Sequence, residues 1–178
     1  PTSVVESLPG EKPGAKMETV EANLDIKPLH DYQIAGSQHI MRMLTEEDFT
    51  KKTLIAIPTG AGKTRLVVET LVDWLNSRKQ DSPEQQKNSK FIIWLAHSHE
   101  LCEQAIDAFK QIYHAKGKTA LNIHRFFGAG GELPAGTEFE DLLPENGVIV
   151  ATISSFYKIL PKLKKKSSFL KNLIFIIT

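Results

Sequence analysis

Two glycines, a lysine and a threonine stand close together in this sequence and are of the types that bind phosphate. Gly60, Gly62, Lys63 and Thr64 belong to the run Thr-Gly-Ala-Gly-Lys-Thr. Glycine lets backbone amides approach an anion because no Cβ is in the way. A lysine ammonium can reach the outer phosphates, and a threonine hydroxyl can coordinate Mg²⁺. The run therefore predicts a site for a nucleoside triphosphate with Mg²⁺.

The residues around this run predict the strand and the helix that such a loop needs. Residues 54–57 are apolar and predict a buried strand before the loop. From Arg65 onward, side chains that can face a core recur at helical spacing, at Leu66, Val67, Thr70, Leu71, Trp74 and Leu75. The start of a helix offers unpaired amides and the positive end of its dipole. Ile57, six positions before Lys63, stands where the strict phosphate-loop pattern has glycine, so a chance Gly-Lys-Thr turn is the alternative.

A glutamine upstream of the loop has two interpretations. Gln33 stands at the beginning of a predicted helix, for which Asp31 is the candidate N-cap. Its amide can both donate to and accept from the edge of an adenine, or it is an ordinary surface glutamine. The glycine loop downstream favours the adenine contact.

Two histidines follow the apolar run at residues 91–96. His97 and His99 could be metal ligands, but no cysteine or acidic cluster at ligand spacing accompanies them. Together with Ser98 and the free amides of the helix predicted to begin here, they are better suited to contact a phosphodiester backbone. A group of lysines near residues 158–171 suits either solvent and a helix dipole or a nucleic-acid backbone.

The composition is that of a globular chain of ordinary size. With 22 Lys and Arg against 21 Asp and Glu among 178 residues, the net charge is +1, so any nucleic-acid contact must come from local groups. Cys102 is the single cysteine, which excludes an internal disulfide and suits a reducing compartment. No apolar run approaches the length of a membrane span. We therefore expect a soluble, cytoplasmic protein with no membrane partner.

The order of apolar runs predicts an α/β fold. Residues 1–27 contain prolines, glycines and few large apolar groups, and predict a flexible tail or linker; residues 28–178 form the domain. Apolar strands at 91–96, 121–127, 148–152 and 173–177 alternate with helices, one of them at 153–163 opened by Ser154 or Ser155. This pattern predicts a three-layer sandwich around a mostly parallel sheet, with ligands at the carboxyl ends of the strands.

Four motifs occur in the order found in superfamily 2 helicases and translocases. Residues 29–33 resemble their adenine-reading motif, residues 57–64 motif I, residues 95–104 motif Ia, and residues 148–155 the strand and loop of motif Ic. The pair Ala96-His97 resembles the branch named for the restriction subunit of type III restriction enzymes, since the DEAD-box branch has Ala-Pro there. The resemblance runs from about Pro28 to the last residue.

This resemblance implies the first RecA-like motor domain of an enzyme that binds ATP and Mg²⁺ and acts on nucleic acid, with DNA favoured over RNA. The residues that match the family's nucleotide contacts are Gln33, Thr59, Gly60, Ala61, Gly62, Lys63, Thr64 and Arg65, with Lys63 and Thr64 as the catalytic pair and Thr64 as the Mg²⁺ ligand. The residues that match its nucleic-acid contacts are Ala96, His97, Ser98, Gln104, Ala151, Thr152 and Ser154.

The resemblance also implies groups beyond these 178 residues. In the family, an Asp-Glu-x-His motif follows the strand that matches residues 173–177, and a second RecA-like domain supplies an arginine finger. Both place charge and water for phosphoryl transfer. We therefore expect a domain incomplete at its carboxyl end, which binds nucleotide but hardly hydrolyses it, within a parent protein that is a nucleic-acid-dependent ATPase.

Two other functions stay open on the sequence. One is a small phosphotransferase of the phosphate-loop type, such as a kinase for a metabolite; the motifs at His97 and Thr152 would then be coincidental. The other is a nucleotide-gated binding module without catalysis. The sequence does not decide whether a nuclease or methylase partner makes the parent protein part of a restriction or defence system.

Overall fold

A computed structural model describes residues 17–20, 26–45, 53–58, 60–78, 91–118, 120–128, 147–163 and 173–178 of the chain. Its elements are, in chain order, β1 (Met17–Val20), α1 (Asp31–Thr45), α2 (Lys63–Arg78), β2 (Phe91–Ala96), α3 (His99–Lys116), β3 (Leu121–Phe126), β4 (Gly147–Thr152), α4 (Ile153–Leu163) and β5 (Leu173–Ile177). None of the helices in these ranges is long and apolar enough to cross a bilayer.

The five strands form one sheet in the order β1-β3-β4-β2-β5. The four strands from β3 to β5 run parallel, and β1 adds an antiparallel edge. Ala96 of β2 pairs with Thr152 of β4, and Leu95 pairs with Ile177 of β5. The carboxyl ends of these three strands therefore meet at one edge of the sheet. The mostly parallel α/β architecture predicted from the sequence is confirmed.

The core lies between the sheet and the helices that cover it. All six residues of β4 are buried, as are residues 92–96 of β2, which is the pattern of a sheet covered on both faces. Trp94 of β2 meets Phe109 of α3 edge-on, with ring centroids 5.8 Å apart. Helix α2 buries Leu66 and Leu71 completely. This packing holds the first turn of α2, and with it the end of the glycine loop, in a fixed position.

The predicted buried strand before the loop is wrong. Residues 53–58 make no strand, and Leu54 is 92% exposed. Ile55 and Ile57 nevertheless pack against the core. Burial therefore alternates along the segment, as it does when only one side of an extended chain is covered. An apolar run indicates which residues avoid water, but it does not supply a neighbouring strand for the backbone hydrogen bonds.

The expectation of a flexible tail or linker over residues 1–27 is wrong for Met17–Val20. These residues form β1 and pair antiparallel with β3, Met17 opposite His124 and Val20 opposite Leu121. The strand is only four residues long, so its pattern is too short to stand out against its surroundings. Its pairing depends on the free edge of β3, which is distant in sequence. The domain boundary at residue 28 stays a prediction.

Candidate functional site

The glycine loop has a backbone geometry that favours glycine at two positions. Gly60 and Gly62 have φ angles of +80° and +75°, in the left-handed region that other residues adopt only at a cost. At Gly60, no described atom lies within 4 Å of the position that a Cβ would take, so this side of the loop is open. Thr59, also predicted to contact phosphate, lies outside the described residues.

Lys63 is the first residue of α2, and its ammonium lies against the incoming limb of the loop. Nζ donates to the carbonyl of Ile57 over 2.8 Å and to that of Pro58 over 3.2 Å. The side chain is exposed, so its bonds to these two carbonyls can exchange for bonds to another acceptor. The amide of Leu66 bonds to the carbonyl of Gly62, and the amides preceding it have no acceptor inside a helix. The loop thus brings an ammonium and the first amides of α2 to one helix terminus.

Gln33 lies against this loop and is only 3% exposed, so its interpretation as a surface glutamine is wrong. Its Oε1 accepts from the amide of His30 over 3.0 Å, and its Nε2 donates to the carbonyl of Ala61 over 3.2 Å. A Cβ on Gly62 would stand 2.7 Å from that Nε2. Gly62 is therefore required both by its φ angle and by the place that the Gln33 amide occupies.

The beginning of α1 differs by one residue from the prediction. The N-cap is His30 and not Asp31. The carbonyl of His30 accepts from the amides of Gln33 and Ile34, and its amide donates to the Gln33 side chain. This is half of a capping box, in which the third helical residue bonds back to the N-cap amide. An amide side chain has two N–H donors and two acceptor positions. The bond from the His30 amide therefore takes only one of the two acceptor positions of Gln33.

The next two predicted nucleotide contacts lie on the first turn of α2. Thr64 is half-buried there. The guanidinium of Arg65 donates through Nη2 to the carbonyl of Lys27, and its Nε lies 3.3 Å from Oε2 of Glu69. Arg65 thus connects α2 to the segment that precedes α1. The position of Arg65 directly after the Gly-Lys-Thr run did not predict this contact.

Two residues at this site were missed by the sequence reasoning. Tyr32 donates its hydroxyl to the carbonyl of Ala61 over 3.2 Å, and its ring stacks on that of His30. The side chain of Glu69 is 4% exposed and lies within ion-pair distance of Arg65 and of Lys116. The i, i+4 spacing of Arg65 and Glu69 could have indicated their pairing. Neither the burial of Glu69 nor the contact with α3 has a sequence signal.

The predicted nucleic-acid contacts separate into buried and exposed groups. Ala96, Ala151 and Thr152 are buried at the ends of β2 and β4. The hydroxyl of Thr152 accepts from the amide of Ser155 and donates to its Oγ over 2.9 Å. Thr152 is therefore the N-cap of α4, and the expectation that Ser154 or Ser155 opens this helix is wrong. Thr152 was the better candidate because its hydroxyl stands three residues before the amide that it accepts.

The exposed group lies at and after the carboxyl ends of the same strands. His97 and Gln104 are exposed after β2, and Ser154 is exposed after β4. Ser98 is half-buried and caps α3 by accepting from the amide of Leu101 over 3.3 Å. His99 packs on Phe127, with ring centroids 5.6 Å apart. Across the parts of the chain that the structure covers, no three His, Cys, Asp or Glu side chains converge to hold a metal ion.

The sheet, the glycine loop and the helix that follows it define the class of phosphate-loop nucleotide-binding domains with a RecA-like α/β fold. More particularly, residues 26–177 match the family described as the type III restriction enzyme, res subunit. The chain belongs to this family, and its matched region is the N-terminal domain of a superfamily 2 helicase. Members of the family are ATP-dependent helicases or translocases. No curated protein matches the chain.

Proposed function

We propose that this domain binds ATP with Mg²⁺ in the loop at residues 57–64 and couples that binding to a nucleic-acid strand at the carboxyl edge of the sheet. The observation that carries the proposal is the position of Lys63. Its ammonium stands 2.8 Å from a carbonyl of the loop itself, beside two glycines of positive φ and the first turn of α2. A triphosphate supplies better acceptors for the same donors, since charge-assisted hydrogen bonds are the stronger ones.

The residues of the first turn of α2 fit Mg²⁺ as well as phosphate. Mg²⁺ takes oxygen ligands and keeps several of its waters, so one protein hydroxyl beside the phosphates suffices. Thr64 follows Lys63 directly on this turn. When bound, the ion neutralises charge on the phosphates. The chain's own contribution is to align the phosphates between the Lys63 ammonium and the helix amides.

The base would be selected next to the loop by Gln33. The two hydrogen bonds that this side chain makes leave one N–H and one acceptor position. This pair matches the acceptor and donor on the edge of adenine. Gln33 is nearly inaccessible in this structure, so adenine binding requires a small opening between α1 and the loop. The Gln33 side chain would then contact both the base and the carbonyl of Ala61 in the loop.

Nucleic acid would cross the edge where β2 and β4 end. The exposed side chains of His97, Gln104 and Ser154 can contact phosphates or sugars without regard to sequence. The buried Ala96 and Ala151 can contribute only through the backbone. DNA is favoured over RNA because the family is named for restriction enzymes. By the same reasoning, a nuclease or methylase partner and a second RecA-like domain belong to the proposal for the whole protein.

Two binding measurements test the proposal. Titration with a fluorescent ATP analogue in Mg²⁺ should show saturable binding to the 178-residue chain. Fluorescence anisotropy with labelled single-stranded DNA, duplex DNA and RNA of one sequence, with and without a non-hydrolysable ATP analogue, should show binding that changes with the nucleotide. Nucleotide binding without any nucleic-acid binding would instead support a kinase.

A pair of glutamines on α3 provides a matched control. Gln104 and Gln111 are both exposed and stand two turns apart on the same side of the helix. Gln104→Ala should weaken DNA binding, whereas Gln111→Ala, about 10 Å farther from the edge of the sheet, should not. Equal effects of the two substitutions would contradict the proposed path of the strand.

A further inference from the structure

The chain segment that leads into α1 is attached to the glycine loop and its helix at two separate places. We call residues 26–34 the leading segment. Near its end, Tyr32 and Gln33 both donate to the carbonyl of Ala61 over 3.2 Å. Near its beginning, the carbonyl of Lys27 accepts from Arg65 of α2. The position of the Gln33 amide against the loop is therefore determined at both ends of the segment.

A buried carboxylate holds Arg65 in place. The side chain of Glu69 is 4% exposed, whereas that of Arg65 is 34% exposed. Their ion pair leaves Glu69 Oε2 without a hydrogen-bond partner among the described residues, so charge is what joins them. Glu69 Oε1 lies 2.9 Å from Nζ of Lys116 at the end of α3. Burial of a carboxylate is unfavourable unless cations accompany it, and Glu69 therefore requires both cations to stay close.

Asp73 completes this group but does not touch Arg65. It lies one turn after Glu69 and pairs only with Lys116, over 3.0 Å, in the contacts that the structure records. Partial burial would by itself lower the pKa of Lys116, but the hydrogen bonds and charges of Glu69 and Asp73 outweigh it and raise that pKa. Among the described residues, two carboxylates thus hold Lys116, whereas Glu69 supplies the one carboxylate beside Arg65.

We propose that Arg65 and Glu69 are positioning residues for base selection: together they hold the leading segment at the distance from the loop at which Gln33 distinguishes adenine from other bases. This inference rests on the proposed function. It gives Arg65 a role different from the direct nucleotide contact that the family resemblance implied. The close fit makes the position sensitive, because the Gln33 amide stands where a Cβ on Gly62 would be, 2.7 Å away.

The test compares three ligands: ATP, GTP and inorganic tripolyphosphate, each with Mg²⁺. Arg65→Gln removes the donor to Lys27, and Glu69→Gln removes the charge that holds Arg65. Each variant should lower the preference for ATP over GTP, by about tenfold for Arg65→Gln, the scale of one hydrogen bond to a charged group. Asp73→Asn is the matched control on the same helix, and its preference should equal that of the wild type.

The two variants change the charge in opposite directions, which separates positioning from electrostatics. Arg65→Gln removes a positive charge and Glu69→Gln a negative one. If they acted only through the field at the phosphates, tripolyphosphate affinity would fall in one and rise in the other, with no change in base preference. Positioning predicts the same loss of preference in both. Arg65→Lys, which keeps the charge without the guanidinium fork, should also lose preference.

A second measurement tests the position of the leading segment without any ligand. Hydrogen exchange of the amides in the leading segment should accelerate in Arg65→Gln and not in Asp73→Asn. Equal losses of ATP, GTP and tripolyphosphate binding in Arg65→Gln, with the preference and the exchange unchanged, would show that Arg65 contacts phosphate and would overturn this inference alone. A wild-type chain that binds none of the three ligands would overturn the proposed function itself.

Discussion

Among the described residues of the loop, Lys63 is the one whose charged side chain bonds to carbonyls of the loop itself. Replacing it with alanine removes that charge. This side chain makes two hydrogen bonds, to the carbonyls of Ile57 and Pro58, and it is exposed. Water can replace both bonds. We therefore expect the free energy of unfolding to change by no more than about 0.5 kcal/mol, which corresponds to a shift in Tm of roughly 1–2 °C for a chain of this size.

The effect on nucleotide binding should be much larger. With a triphosphate bound, the same ammonium donates to phosphate oxygens, and a hydrogen bond to a charged group contributes about 1.5–3 kcal/mol. Its loss corresponds to a rise in Kd of roughly 10- to 150-fold. The helix amides and glycines remain, so binding is weakened by this factor and not replaced by a different mode.

Calorimetric titration with ATP and Mg²⁺ measures the Kd, and a thermal melt of the same samples measures the Tm. Lys158→Ala is the control, because Lys158 is also an exposed lysine but lies on α4, and it should leave ATP affinity unchanged. A Lys63→Ala variant that keeps its fold and its ATP affinity would refute the assignment of the loop as the phosphate site.

Three further predictions follow from buried or constrained residues. Gly62→Ala forces a φ of +75° on a residue with a Cβ and crowds Gln33, so it should cost about 1–2 kcal/mol, seen as a lower Tm in thermal melts together with weaker ATP binding; an unchanged Tm would contradict this. Burial lowers the pKa of His124 below 6.5. The unfolded chain therefore takes up the proton first, and stability should fall as the pH drops below about 6.5. Urea titrations at several pH values measure this, and His124→Gln should flatten the dependence; equal slopes for both proteins would exclude His124 as its source. Cys102 is fully buried, and burial, followed by the charge of Glu103, raises its pKa to about 11. It should not react with a thiol reagent until denaturant is added, and rapid labelling of the native protein would contradict its burial.

The elements with strong local patterns were predicted from the sequence. Strand β2 was predicted with the bounds that the structure has, because an unbroken apolar run is typical of a strand buried on both faces. Helix α2 was predicted from apolar residues at helical spacing, and the beginning of α3 was placed directly after β2. The loop between residues 57 and 64 was predicted from its glycines, which have no Cβ to block an anion, and the structure adds that Gly60 and Gly62 have positive φ angles.

Features that depend on a partner far along the chain were missed or wrong. Residues 53–58 are apolar enough for a strand but make no ladder, whereas Met17–Val20 carry a weak pattern and pair with β3. In both cases the outcome depends on whether a free strand edge is available. The sequence does not show whether Gln33 is buried or lies on the surface, because its burial depends on the loop at Ala61, which is distant in sequence.

The sequence by itself determined the glycine loop, the strands from β2 to β5 with the helices between them, and the family, because each is encoded in residue types at short spacing. Only the tertiary structure decided which side chains at the predicted site can meet a ligand. It buried Ala96, Ala151 and Thr152, left His97, Gln104 and Ser154 exposed, and joined Arg65 to the carbonyl of Lys27. The physical reason is that exposure and long-range hydrogen bonding are set by the neighbours that folding brings together, and no local pattern records them.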